Sequence, residues 1–152
     1  MVRKPKIILL AGPTGSGKSK LAVSLSKKLN GEIVNADSMQ VYKEFKILTS
    51  RPNLQDKKKI KHHLYGIISV RKKFSTGNWL KLTTNLITKI LKKKKIPVIV
   101  GGTGLYFKAL LDGLVEIPNI PLEFRNKIRK YNKKIGQEKF YNKLLKLDPK
   151  IK

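Results

Sequence analysis

No cysteine occurs among the 152 residues, which excludes disulfides and thiolate metal sites and leaves the redox compartment open, cytoplasm included. Only two histidines are present, His62 and His63, and without a third ligand at metal-like spacing they read as structural residues. Acidic residues are scarce: 9 Asp+Glu face 35 Lys+Arg, for a formal charge of +26. That imbalance attracts polyanions whatever the fold, and nucleic acid is the obvious one. Biased codon usage, with its excess of Lys, Ile and Asn, produces the same composition. No apolar run approaches the roughly 20 residues that cross a bilayer, and Lys4-Pro5-Lys6 leads into a strand-like segment where a signal peptide would have its apolar stretch. A cytoplasmic chain with no membrane partner is expected, and its length and 40% hydrophobic content suit one core in a domain of roughly 100 to 200 residues.

Along the chain, Ile7 to Ala11 is a continuous apolar run entering a glycine-rich turn, as in a strand covered on both faces. It is expected to be the central strand of a parallel sheet. Leu21, Ala22, Leu25 and Leu29 then share one helical face, and Asn30-Gly31 supplies a stop. Glu32 to Ala36 reads as a second strand that delivers Asp37 and Ser38 at its carboxyl end, the edge where open α/β sheets bind ligands. From Tyr42 to Ser75 periodicity is poor and charge is dense, Lys57-Lys58-Lys59 included, so a mostly irregular connection is expected. Trp79, Leu82, Leu86 and Ile90 recur at helical spacing before Lys92 to Lys95. Ile96 to Val100 is another buried-type strand, followed by Gly101-Gly102-Thr103-Gly104 and a helix through Leu105, Ala109 and Leu110. The fold class is therefore α/β, a parallel sheet with helices on both faces over residues 1–114. Residues 115–152 read as the start of a helical region, with Phe124, Ile128, Tyr131 and Ile135 on one face and then Phe140, Leu144 and Leu147.

The most specific motif is Gly12-Pro13-Thr14-Gly15-Ser16-Gly17-Lys18-Ser19, a full phosphate-loop pattern between a strand and a helix. Its glycines let backbone N–H groups converge on a diphosphate, Lys18 adds a cation and the Ser19 hydroxyl is placed to hold Mg²⁺. The loop alone does not name the phosphate compound, because kinases, ATPases and other transferases share it. Most P-loop ATPases end an apolar strand in an acidic residue, whereas Ile96 to Val100 ends in Gly101-Gly102-Thr103. Asp37, the one carboxylate that terminates an apolar run, reads equally as a metal ligand, a base or the N-cap of a short turn.

Ala36-Asp37-Ser38-Met39-Gln40-Val41-Tyr42 and Gly101-Gly102-Thr103-Gly104-Leu105-Tyr106, in order after the phosphate loop, resemble the signatures of the tRNA dimethylallyltransferases. The likeness continues through Arg51-Pro52, His62-His63-Leu64, Phe74-Ser75 and Lys108-Ala109-Leu110-Leu111-Asp112-Gly113-Leu114. It implies a P-loop NTPase-like fold in which dimethylallyl diphosphate, not ATP, lies against Thr14 to Ser19 with Mg²⁺ near Ser19. An adenine flipped out of a tRNA anticodon arm would then be prenylated on its exocyclic amine. By the same resemblance Asp37 accepts the amine's proton, Lys18 and Thr103 belong to the catalytic set, and Asp37, Ser38, Met39, Gln40, Thr103 and Arg125 contact the tRNA. The alternative reading from the residues is an N-cap for Thr103 and a solvated helix face for Arg125. A monomer is expected.

Two departures stand out. Leu48 occupies a position where the family usually has glycine. The later Gln-Arg-x-x-Arg and Gly-Tyr-Arg segments of the family are absent, so a fragment, an interrupted reading frame or a shortened form is expected. The rival readings are a small-molecule or nucleotide kinase, carried by the loop alone, and a non-catalytic basic RNA-binding remnant, carried by the charge.

Overall fold

The structure, a computed structural model, describes residues 6–49, 51–52, 60–115, 118 and 120–151. Lys57 to Lys59 lie outside the described residues. Two compact units divide the chain, Met1–Leu114 and Val115–Lys152. The first contains β1 (Ile8–Ala11), α1 (Lys18–Lys28), β2 (Gly31–Asn35), β3 (His62–His63), α2 (Thr76–Lys92), β4 (Ile96–Gly101) and α3 (Gly104–Asp112). The second contains α4 (Leu122–Ile135) and α5 (Gln137–Leu147).

All strands of the first unit run parallel in the order β1-β4-β2-β3. The expectation that Ile7 to Ala11 is the central strand fails, because β1 lies at one edge of the described sheet and β4 and β2 occupy the middle. A continuous apolar run reports that both faces of a strand are covered, not that both edges are paired. The two-residue alternation of side chains separates two cores. Val34, Ala36 and Ile99 face Trp79, Ile87 and Ile90 of α2 and Tyr106 and Phe107 of α3, whereas Ile33, Val98 and Val100 face Ala22 of α1. Helices thus cover both faces.

The buried helix faces differ from the expected stripes. In α1, Ala22 and Ser26 are buried while Leu21 and Leu29 are exposed. In α2, Trp79, Thr83, Ile87 and Ile90 are buried and Leu82 is exposed. Small side chains at Ala22, Ser26 and Thr83 let each helix approach the sheet closely, which rotates the larger leucines toward the flanks. A capping box starts α2: the Asn78 N–H donates to Ser75 Oγ at 3.1 Å and the Ser75 N–H donates to Asn78 Oδ1 at 3.0 Å. The helix ends in lysines that suit its negative pole. After α1, Asn30 and not Gly31 takes the left-handed conformation, at φ 53°.

Trp79 joins three elements. Its ring stacks on Tyr106 with centroids 4.3 Å apart, and its Nε1–H donates to the carbonyl of Asn35 at 2.8 Å, giving a fully buried indole the polar partner it needs. A second buried polar cluster centres on Glu32, which accepts from Lys95 Nζ at 2.9 Å and contacts His63 Nε2 at 2.7 Å. Burial alone would raise the Glu32 carboxyl, but the hydrogen bonds and charges of Lys95 and His63 together outweigh it and hold the group below its usual range.

In the second unit α4 and α5 form a helical hairpin about Gly136, which turns at φ 82°. Tyr131 and Phe140 meet edge to face at 6.3 Å, and Lys143 Nζ lies over the Tyr131 ring and donates to its hydroxyl. Neither helix has a buried residue. The stripe running from Phe124 to Ile135 is therefore not a closed core.

Candidate active site

The sequence turns from β1 into α1 through a loop that only glycine completes without strain, since Gly15 and Gly17 take φ values of 81° and 80°. Gly17 is the N-cap residue of α1 and contributes no side-chain cap. The first-turn N–H groups at Lys18 and Ser19 therefore have no intrahelical acceptor and point out of the positive end of the helix dipole. No acidic residue occupies that turn, so no carboxylate there competes with an incoming anion. Lys18 Nζ donates to the carbonyl of Pro13 at 2.8 Å, which folds the cation back across the loop. Gly12 closes the loop against β4, its N–H donating to the Gly101 carbonyl at 3.3 Å, and the Ser16 N–H donates to Pro13 at 3.4 Å.

Opposite the loop stands the exit of β2. The Ala36 N–H still pairs with the Val100 carbonyl at 2.8 Å, and Asp37 is the first residue beyond the ladder. Its Oδ1 accepts from the Met39 N–H at 2.9 Å, so the turn-capping alternative describes one carboxylate oxygen. Oδ2 has no hydrogen-bond partner among the described residues. Two phenols stay protonated near it. The Tyr106 hydroxyl is pushed up to about 12, by burial first and then by the charges of Tyr42 and Asp37. Burial and the Asp37 charge also push the Tyr65 hydroxyl up.

The third segment is Gly101-Gly102-Thr103. Thr103 occupies the N-cap position of α3 but makes no side-chain cap. Its hydroxyl instead accepts from the Ser38 N–H at 2.9 Å and lies 3.3 Å from Ser38 Oγ. The two signature motifs are thereby tied together across the sheet edge.

One cavity of about 360 Å³ joins these parts, within the size range of small-molecule sites. Thr14, Gly15, Lys18 and Ser19 line one side and Asp37, Met39 and Gln40 another, with Phe45, Leu48 and Tyr65 adding apolar wall. Gln40 Nε2 donates to the Thr49 carbonyl at 2.7 Å and holds the 43–49 turn over the cavity. Gly12, Pro13, Ser16 and Gly17 shape the loop without lining the cavity, and neither Ser38 nor Thr103 lines it. Arg125 sits in the exposed first turn of α4, in the second unit. His63 serves the Glu32 cluster, and no group of three His, Cys, Asp or Glu residues able to hold a metal occurs among the described residues. Phe45, Thr49, Tyr65 and the buried Asn35 escape the sequence reading. A polar residue between Val34 and Ala36 at the end of an apolar strand was the available signal for Asn35.

A glycine-rich loop on a helix N-terminus, at the carboxyl edge of a parallel sheet and facing a carboxylate across one cavity, defines a P-loop NTPase-like fold. The model of a family described as IPP transferase matches residues 40–152. The chain belongs to that family. It is 66% identical over 152 residues to the tRNA dimethylallyltransferase of Pelagibacter ubique, covering 100% of this chain and 49% of that protein. To the tRNA dimethylallyltransferase of Rhizobium rhizogenes it is 45% identical over 153 residues, covering 98% of this chain and 51% of that one. Among solved structures, the tRNA isopentenylpyrophosphate transferase of Bacillus halodurans superposes with a TM-score of 0.73 at 35% identity, over 97% of this chain and 49% of that one. A eukaryotic dimethylallyltransferase acting on tRNA superposes with a TM-score of 0.82 at 33% identity, over 96% of this chain and 36% of that one. The chain spans about half the length of the curated relatives it matches. No helix among the described residues is long and apolar enough to cross a membrane.

Proposed function

We propose that this chain carries the donor site and the base of a tRNA prenyl transfer, moving a dimethylallyl group from dimethylallyl diphosphate to the exocyclic amine of the adenosine 3′ to the anticodon. The observation that carries this reading is the single cavity in which Lys18 and Ser19 face Asp37. The relatives' names supply the tRNA and the dimethylallyl group, and the charge of +26 suits a polyanionic partner.

The diphosphate lies on the loop from Gly12 to Ser19, where first-turn N–H groups and Lys18 stabilise the charge that develops as it leaves. The adenine amine attacks C1 of the allyl group, the C1–O bond breaks, and its electron pair departs with the diphosphate. The amine's proton passes to Asp37 Oδ2, the oxygen not engaged by Met39. Met39 and Gln40 line the side of the cavity from which the base enters, and Ser38 and Thr103 brace that wall. Arg125, exposed on α4 of the second unit, is a further cation for contact with the tRNA. Magnesium fits the Ser19 hydroxyl, which lines the cavity beside the loop, the position from which a phosphate-loop Ser or Thr meets Mg²⁺ at bound phosphates. When bound it would neutralise diphosphate charge.

The test is transfer of labelled dimethylallyl to an anticodon stem-loop by the chain completed with the carboxyl-terminal half of the Pelagibacter ubique relative. Asp37→Ala is expected to lower turnover by roughly 10² to 10⁴, the usual contribution of a general base, with donor binding retained. Full turnover in Asp37→Ala contradicts the assignment.

A further inference from the structure

Asp37 owes its position to a side chain that the proposed reaction does not touch. Ala36 is the last residue held by the sheet edge, its N–H on Val100 at 2.8 Å and its carbonyl accepting from the Thr103 N–H at 3.2 Å. One residue on, both backbone groups of Asp37 turn to the carboxamide of Asn35. The Asp37 N–H donates to Asn35 Oδ1 at 3.0 Å, and Asn35 Nδ2 donates to the Asp37 carbonyl at 2.9 Å and to the Leu64 carbonyl at 3.2 Å. The pattern fixes the orientation of the amide, since the flipped form would set an NH₂ against an N–H and an oxygen against two carbonyls.

Asn35 is 0% exposed, so no water competes for these bonds. Its own carbonyl receives the Trp79 indole N–H at 2.8 Å, which anchors it to a fully buried side chain of the first core. A buried carboxamide is costly unless satisfied, and here three of its four hydrogen-bonding positions are spent within two residues of the aspartate or on the β3 exit.

We infer that Asn35 is a positioning residue for prenyl transfer: its carboxamide fixes the backbone of Asp37 so that, with Oδ1 taken by the Met39 N–H, Oδ2 is presented to the substrate amine. The inference rests on the reading of Asp37 as the base. Misplacement by about 1 Å costs on the order of 100-fold in rate, and the donor loop, which lies on other elements, is unaffected.

Asn35→Ala and Asn35→Ser, each alone and combined with Asp37→Ala, are compared in the completed chain for kcat, donor KM and amide hydrogen exchange. Asn35→Ala is expected to lower kcat on the order of 100-fold at unchanged donor KM and to speed exchange at the Asp37 and Met39 amides while Ile33 and Val34 stay protected. Asn35→Ser, which keeps an acceptor for the Asp37 N–H, recovers part of the rate and carries the comparison should the alanine variant fold poorly. Neither change lowers the rate further once Asp37 is alanine. A folded variant with unchanged kcat, or one whose loss multiplies with that of Asp37→Ala, overturns the inference. If Asp37→Ala alone keeps full turnover, the base reading fails instead. The exchange data then decide on their own, and protection retained at residue 37 in the Asn35 variants rejects the positioning role.

Discussion

Replacing Gly101 with alanine inserts one methyl group at the tightest point of the sheet edge. A Cβ there would lie 2.1 Å from both the carbonyl carbon and the oxygen of Ala36 and 2.8 Å from its Cα, where ordinary contact begins at 3.4 Å. These are backbone atoms, so no rotamer change relieves the overlap and β4 must move more than 1 Å from β2. That displacement stretches the Ala36–Val100 bond of 2.8 Å and the Thr103–Ala36 bond of 3.2 Å. Overpacking costs about 1–3 kcal/mol and each orphaned buried group about 1–3 kcal/mol more. With one such group orphaned the total is roughly 2–6 kcal/mol, a large share of the roughly 5–15 kcal/mol that holds a typical domain together, and corresponds to a drop in Tm of roughly 4–24 °C for a chain of this length. Gly104, three residues on, is the control: an added Cβ meets nothing within 4 Å, and alanine in the first turn of α3 is expected to be neutral or to stabilise by a few tenths to about 1 kcal/mol. Thermal unfolding by circular dichroism reads both. Equal melting of the Gly101→Ala and Gly104→Ala variants would refute the steric reasoning.

Trp79→Phe keeps the stacking surface but orphans the Asn35 carbonyl, and a loss of about 1–3 kcal/mol is expected in urea unfolding, larger than for the same change at a site without a hydrogen bond. Acid titration of stability tests the Glu32 cluster. Lys95 and His63 hold the folded-state carboxyl below its ordinary 4.5, so the stabilisation is present above that pH and is lost as pH falls through the lower folded value. Glu32→Gln should flatten the fall in Tm below pH 4.5, and an unchanged acid slope would show that the cluster does not carry it.

Much of the fold is legible in the sequence because strand, glycine turn and helix occur in order twice, and each of those junctions is encoded locally. The phosphate loop advertises itself through Gly15 and Gly17, and Asp37 through its place at the end of an apolar run. Strand order is not local: nothing in Ile7 to Ala11 reveals that β1 pairs only with β4 among the described strands. Helix rotation also escapes a count of leucines, because Ser26 and Thr83 are buried by close approach to the sheet while Leu21 and Leu82 face outward. The role of Asn35 was only faintly legible, for a related reason. Its polarity resembles the end of a strand, and only the fold brings the Leu64 carbonyl and the Trp79 indole to it.

The central claim is that the loop holds an allylic diphosphate, and calorimetric titration tests it most directly. Dimethylallyl diphosphate and ATP, each with magnesium, are titrated into the chain and into its Lys18→Ala variant. The account predicts that dimethylallyl diphosphate binds more tightly than ATP and that Lys18→Ala abolishes this binding. Preferential binding of ATP, or binding of the allylic diphosphate that is indifferent to Lys18, would contradict it.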